Sequence, residues 1–124
     1  MSQNILDEAK ALRHELCKRW PEETSAQKAE RHSGKLLAAW DDTREIWCVP
    51  HWQLRSRRPI AEIQEILSLL RDAGCLGIGG WGAIEWFLSL HVLLDDRSPA
   101  DVLATSPTSV LGAARQEFAA KDTF

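Results

Sequence analysis

Residues 81–94, WGAIEWFLSLHVLL, constrain the fold more than any other part of the sequence, because Glu85 is their only charged residue. Apolar side chains cover too much of the helical circumference for a helix that lies on a surface. We therefore predict a helix that is buried nearly all round, with Trp86 and Leu90 in the hydrophobic core. A compact fold of this chain has to place other elements on most sides of this segment.

A polar turn and a second helix follow the apolar run. Asp95 and Asp96 interrupt it. Ser98 and Pro99 then predict a helix start, because serine is a favoured N-cap and proline fits the first helical position. Asp101, in the first turn, suits the positive end of the helix dipole. A buried helix, a tight turn and a short capped helix together form a compact recognition element.

Length and composition indicate a globular protein. A chain of 124 residues forms one domain, or two small domains that share a core, and 44% hydrophobic residues can supply that core. We expect a cytoplasmic protein, since the sequence shows no signal peptide and no apolar run of membrane-spanning length. Three scattered cysteines fit reduced thiols better than a disulfide framework.

Charge divides the chain into two unlike halves. Residues 1–58 hold eleven basic and nine acidic residues, a net charge of +2, whereas residues 59–124 hold four and nine, a net charge of −5. A basic half suits phosphates and an acidic half suits a basic protein. The sequence therefore favours two binding functions over one.

The N-terminal half is predicted to begin with two helices. Apolar residues recur at helical spacing through residues 5–20, and Pro21 ends that helix. Thr24 or Ser25 can cap a second helix that ends at Gly34. This order is typical of a helix-turn-helix, and it predicts a DNA-binding surface of Ser25, Gln27, Lys28, Arg31, His32, Lys35 and Arg44. The alternative is a helical hairpin that does not contact DNA.

A short β-hairpin is predicted after these helices. Residues 35–40 and 45–50 are two β-prone runs around the polar turn 41–44. The run Pro50-His51-Trp52-Gln53-Leu54 resembles the element that often closes MerR-like and antitoxin DNA-binding modules, so the hairpin is interpreted as a wing. Residues 55–59 are predicted to be a basic linker. Amphipathic helices are expected over residues 60–70 and again from Ser106 to residue 118.

Three other patterns are weak as functional signals. Residues 77–82 match the glycine spacing of a dinucleotide-binding loop, but a helix rather than a strand is predicted before them, so we expect a flexible loop. Cys48 and His51 have the spacing of a metal-binding pair but no second pair, so no metal site is predicted. No nucleophile and base share a recognisable spacing. We therefore expect neither a cofactor nor an enzymatic activity.

The turn after the apolar run resembles the toxin-binding domain of the Xre/MbcA/ParS-type antitoxins. The sequence pattern of that family is an aromatic-rich helix, a turn of the form L-G-G-R-[ST]-P and a short helix. Residues 94–99 of this chain have the sequence L-D-D-R-S-P. Asp95 and Asp96 replace the two glycines, and aspartate tolerates left-handed backbone better than most residues. The similarity covers roughly residues 59–118. The alternative is that Arg97-Ser98-Pro99 is only a helix start.

This resemblance implies a type II antitoxin. Its expected partners are a RES-type, NAD-consuming toxin and operator DNA through which it represses its own operon, and we expect a homodimer. The expected fold is mainly α, with a helix-turn-helix-like module and short hairpin (residues 1–58) packed on a C-terminal helical bundle (residues 59–124). The predicted toxin-binding residues are Trp81, Asp95, Asp96, Arg97, Asp101 and Phe124. Arg97 could instead bond Asp101, and the tail at Phe124 is either an interaction tip or a frayed end. The alternative function is a stand-alone DNA-binding regulator whose C-terminal half only dimerises.

Overall fold

The computed structural model describes residues 2–119, with side chains from residue 5 onward. Within this range the chain is mainly helical, with two short hairpins. The helices are α1 (Ser2–Cys17), α2 (Ser25–His32), α3 (Glu62–Asp72), α4 (Trp81–Leu88), α5 (Pro99–Leu103) and α6 (Pro107–Phe118). The strands are β1 (Ala39–Asp41), β2 (Ile46–Cys48), β3 (Leu54–Arg55) and β4 (Arg58–Pro59). No helix in the described range is long and apolar enough to cross a membrane.

Local capping signals determine where α2 begins. Thr24 accepts a hydrogen bond from the backbone N–H of Gln27, and the Gln27 side chain accepts one from the Thr24 N–H. This reciprocal capping box satisfies two of the backbone donors that a helix start leaves free. The predicted cap at Thr24 is confirmed.

The predicted hairpin of β1 and β2 is also confirmed. Its strands are antiparallel, with Ala39 opposite Cys48 and Asp41 opposite Ile46. The segment between α1 and α2 lies along the outer edge of β2, where the Val49 N–H donates to the Pro21 carbonyl at 2.8 Å. The hairpin therefore holds the connection between the first two helices in place.

Residues 55–59 are not the linker that the sequence predicts. They belong to a second antiparallel hairpin, in which Leu54 pairs with Pro59 and Arg55 with Arg58. Ser56 and Arg57 form the two-residue turn with φ of 52° and 68°. Positive φ at both central residues is the geometry that matches the twist of paired strands. Neither residue is glycine or asparagine, which explains why the pattern of turn residues does not reveal this hairpin.

Gln53, which directly precedes β3, bonds to the two segments that flank the first hairpin. Its buried amide accepts a hydrogen bond from the Leu37 N–H at 2.8 Å and donates to the Leu37 carbonyl at 2.7 Å and to the Pro50 carbonyl at 3.0 Å. Buried polar groups are tolerated where they are bonded in this way. The glutamine of the closing element thus has a structural role.

One hydrophobic core draws on both sides of residue 58. Cys17, Trp20 and Leu37 from the N-terminal side share a cluster with α3, α4, α5 and α6. Trp86 is 8% exposed, as predicted for a core residue. The same prediction is wrong for Leu90, which is 71% exposed. Helix α4 ends at Leu88 and Ser89 is extended, so residues 89–93 leave the core and only Leu94 returns to it.

The helix start at Ser98 is confirmed. Its hydroxyl accepts a hydrogen bond from the Asp101 N–H at 3.2 Å, and Pro99 occupies the first helical position of α5. Helix α6 then packs against α3, and Arg115 forms an exposed two-point ion pair with Glu65, with N–O distances of 2.6 and 2.9 Å. Helix α6 also contacts α5 and the short turn Val92–Leu94.

Candidate protein-interaction site

Residues 88–97, the 88–97 segment, carry a group of exposed apolar side chains. Val92 is 80% exposed, Leu90 is similarly open, and Leu88 and Leu93 also face solvent. Single exposed apolar residues are ordinary, but neighbouring ones on one segment mark surfaces that bind other molecules. The apolar pattern predicts that these residues lie in the core, so it does not reveal this surface.

Backbone hydrogen bonds fix the shape of the 88–97 segment. The N–H of His91 donates to the Arg97 carbonyl at 3.1 Å, and the N–H of Asp96 donates to the His91 carbonyl at 2.9 Å. Leu94 is buried beneath the closed loop. The apolar side chains are thus presented on an ordered frame, which reduces the conformational entropy lost when a partner binds.

Two aspartates make the tight turn of this segment. Asp95 and Asp96 adopt left-handed backbone with φ of 55° and 59°. Left-handed single residues are normally glycine, with aspartate and asparagine as the tolerated substitutes. Both side chains are exposed, as is Arg97. Arg97 has no ion-pair partner among the side chains of residues 5–119, so it does not form the internal bond to Asp101 that the sequence leaves open.

Aromatic residues of α4 pack next to the 88–97 segment. Trp86 packs edge-on against Phe87 with ring centroids 5.1 Å apart, and its Nε1 donates to Glu117 Oε2 at 2.8 Å. His91 Nε2 donates to the Trp86 carbonyl at 3.0 Å, and the two rings lie 5.0 Å apart. Through His91, the segment is attached directly to the core helix α4.

Trp81 is predicted to bind the toxin, but the structure gives it a structural role. It is buried, and its Nε1 donates to the Trp40 carbonyl at 2.8 Å, which ties α4 to β1. The guanidinium of Arg13 lies 5.4 Å from the centre of its ring. Trp81 is therefore a structural residue rather than a partner contact. Asp101 is exposed at the start of α5, and Phe124 lies outside the described residues.

Arg31 is the predicted DNA-binding residue with the strongest internal contacts. Its guanidinium donates to both carboxylate oxygens of Glu23, at 2.7 and 2.9 Å, and lies 4.1 Å from the centre of the Trp47 ring. A two-point ion pair over an aromatic ring fixes the guanidinium plane. Arg31 is thus not a free side chain that could read a base.

Two more of the predicted DNA-binding residues form hydrogen bonds with other residues of the chain. Gln27 is part of the capping box of α2. Arg44 donates from Nε to Asp41 Oδ2 at 2.6 Å. The remaining four, Ser25, Lys28, His32 and Lys35, are exposed. Lys28 and Lys35 form no side-chain hydrogen bond or ion pair with the part of the chain that the structure describes.

A buried polar cluster lies between α1 and the first hairpin, and sequence spacing does not reveal it. Burial, together with a smaller contribution from the neighbouring Cys48, raises the pKa of the Cys17 thiol to about 12. Burial also raises the pKa of Asp41, but hydrogen bonds from Arg44, His14 and the Thr43 N–H outweigh it and hold that pKa at about 2. The cluster thus combines protonated thiols with an ionised carboxylate at neutral pH.

Comparison of the chain with protein-family models, with curated proteins and with solved structures finds no match in any of the three.

Proposed function

We propose that this protein is the antitoxin of a type II toxin–antitoxin pair and that the 88–97 segment binds the cognate toxin. The observation that carries the proposal is the group of exposed apolar side chains at Leu88, Leu90, Val92 and Leu93 on a hydrogen-bonded frame. Protein interfaces are centred on such apolar anchors, surrounded by polar residues. Support also comes from the resemblance of residues 94–99 to the antitoxin turn.

The charge around the anchors suggests the chemistry of the partner. Exposed carboxylates of Asp95, Asp96 and Asp101 lie on the turn and on the helix start that follow the apolar group. A toxin that consumes NAD has to bind an anionic dinucleotide, and arginine and lysine suit that task. Complementary charge would speed association while the apolar side chains hold the complex. We infer that the partner is a RES-type toxin with a basic active-site entrance.

The test is a paired substitution on the 88–97 segment. Leu90→Asp with Val92→Asp should weaken binding to the product of the neighbouring toxin gene by roughly 30-fold or more, because each places a charge where an apolar anchor is desolvated. Binding is measured by calorimetry, and neutralisation by growth on co-expression. Both side chains are exposed, so the fold should be retained.

Ile78→Asp is the matched control for this test. Ile78 is 94% exposed and lies outside the 88–97 segment, so its substitution places an aspartate at an exposed apolar position without touching the proposed surface. It should bind and neutralise as the wild type does. Equal binding by the double variant and the wild type would contradict the proposed surface, and the stand-alone regulator would then explain the sequence better.

We further propose that the exposed face of α2 binds operator DNA and that the protein acts as a homodimer. Support comes from the unpaired lysines Lys28 and Lys35 and from the basic hairpin with Arg55, Arg57 and Arg58 exposed. Leu36 and Leu54 belong to one small apolar cluster, which joins the segment after α2 to this hairpin. Lysine and arginine on both segments could contact phosphates along one duplex.

Lys28→Ala with Lys35→Ala should weaken operator binding nearly uniformly across sequences and reduce the salt dependence by about one unit of slope per lost phosphate contact. Mobility shifts at several salt concentrations measure both quantities. Lys18→Ala is the control, since Lys18 is also exposed but directly follows α1 and forms an ion pair with Glu15. An unchanged salt slope in the double variant would remove these lysines from the DNA surface.

A further inference from the structure

Three metal-binding side chains meet in the buried space between α1 and the first hairpin. One ligand atom from each of Cys17, Asp41 and Cys48 lies within 4.8 Å of the other two. All three residues are buried. They come from α1, β1 and β2, so the group forms only when the helix packs on the hairpin. Thiolates and a carboxylate on three separate elements are a donor set that suits a transition metal.

Strand register and helix periodicity explain how these residues converge. Ala39 pairs with Cys48, and Asp41 is two residues further along β1, so Asp41 and Cys48 share one face of the hairpin. His14 and Cys17 are three residues apart and share one face of α1. His14 Nδ1 lies 2.9 Å from Asp41 Oδ2, so the two faces are in direct contact.

We propose that Cys17, Cys48 and Asp41 bind a Zn²⁺ ion, with the imidazole of His14 as the fourth ligand. The ligand atoms of a tetrahedral zinc site lie roughly 3.3–3.8 Å apart, given Zn–N and Zn–O bonds of about 2.0 Å and Zn–S bonds of about 2.3 Å. The three buried donors already approach that spacing, and His14 has to turn from the carboxylate toward the ion. Binding replaces the two thiol protons with metal–sulfur bonds and releases both protons to solvent.

Arg44 compensates the excess negative charge of the proposed zinc site. Two thiolates and one carboxylate exceed the charge of Zn²⁺ by one negative unit. The guanidinium of Arg44 reaches both kinds of donor, with Nε 2.6 Å from Asp41 Oδ2 and Nη2 3.5 Å from Cys48 Sγ. A cation hydrogen-bonded to ligand atoms orients them and compensates their charge. The ion and its surroundings would then be neutral.

The position of the cluster indicates a structural site. Helix α1 contacts the core through its C-terminal end, with Cys17 buried, whereas Ile5, Leu6 and Leu12 are exposed. A closed four-ligand site at that end would fasten α1 to β1 and β2. Structural zinc sites contribute folding free energy in this way. The inference is independent of the toxin and DNA proposals.

The experiment is titration of the reduced, metal-free full chain with Co²⁺ and Zn²⁺. The wild type should bind one equivalent, show a thiolate-to-cobalt charge-transfer band and melt at a higher temperature with Zn²⁺ present. Cys17→Ser, Cys48→Ser and His14→Ala should each lower the affinity by roughly 10–100-fold or more. Cys75→Ser is the matched control, because Cys75 is exposed and far from the cluster in sequence, and it should bind as the wild type does.

Several results would overturn the proposal. These are a reduced wild type that binds less than one equivalent, a cobalt spectrum without thiolate bands, and a charge-transfer band lost in Cys75→Ser. Recovery of Cys17 and Cys48 as a disulfide, with no metal bound by the reduced protein, would assign the pair a redox role instead. If the cysteine variants do not fold, the wild-type titration and His14→Ala still decide, because His14 is partly exposed and its loss leaves both thiols in place.

Discussion

Replacing Trp86 with alanine is expected to lower the free energy of unfolding by about 3–5 kcal/mol. Trp86 packs against Phe87 and, at a centroid distance of 6.0 Å, against Phe118, so truncation leaves a large cavity in the core. It also leaves Glu117 without the indole donor and removes the ring that packs against His91. Such a loss is a large part of the stability of a small domain.

Leu90→Ala is the matched control for this prediction. Leu90 belongs to the same apolar run but faces solvent, so its truncation should change the free energy of unfolding by no more than about 0.5 kcal/mol. Urea unfolding followed by circular dichroism measures both variants. Trp86→Ala unfolding at the wild-type urea concentration would show that α4 is not the centre of the core. A large loss in Leu90→Ala would place that side chain inside.

Helix starts are the part of this fold that the sequence predicts best, because the signals are local. Thr24 with Gln27, and Ser98, satisfy backbone donors of their own first turn, while Pro99 has no N–H that would need a partner, and no distant residue is needed. Helix ends are less predictable, as the end of α1 shows. Lys18, Arg19 and Trp20 read as helix, but α1 gives way at Cys17 to tighter turns before Pro21.

The end of α4 depends on contacts that no local pattern contains. Residues 81–94 are mostly apolar, with Glu85 as their only charged residue, and a rule that equates apolar with buried predicts one helix. The segment instead closes through the hydrogen bond from His91 to Arg97, and that pairing turns Leu90 and Val92 outward. The side chains most relevant to the proposed function are therefore the ones that burial arguments misplace.

The buried thiol cluster could not be found from spacing, since zinc-type spacing rules consider pairs close in sequence. Cys17 and Cys48 meet only because α1 lies across the hairpin. The sequence predicts the hairpin but places Asp41 in its turn. In the structure β1 extends to Asp41, and strand pairing brings Asp41 and Cys48 to one face. Cys17 reaches this face only through the packing of α1 on the hairpin, and no local sequence pattern predicts that packing.

Gly80→Ala is expected to lower the free energy of unfolding by about 2–5 kcal/mol, from left-handed backbone and steric overlap together. Gly80 has a φ of +79°, and a Cβ there would lie 2.3 Å from the Ala38 carbonyl oxygen. This oxygen belongs to the backbone, so it cannot move aside as the end of a side chain can. The sequence predicts a flexible loop at residues 77–82, whereas this close approach shows that the loop packs on the segment leading into β1.

Two other glycines separate the contributions to this effect. Gly74 has a φ of +73° but open space at its Cβ position, so Gly74→Ala should lose only the backbone share, about 1–2 kcal/mol. Gly112 lies inside α6 with nothing within 4 Å, so Gly112→Ala should stabilise the protein by about 0.5–1 kcal/mol. Urea unfolding of the three variants gives the comparison. If Gly80→Ala loses no more than Gly74→Ala, the loop yields to the extra methyl group, and its contact with Ala38 does not hold α4 against the hairpin.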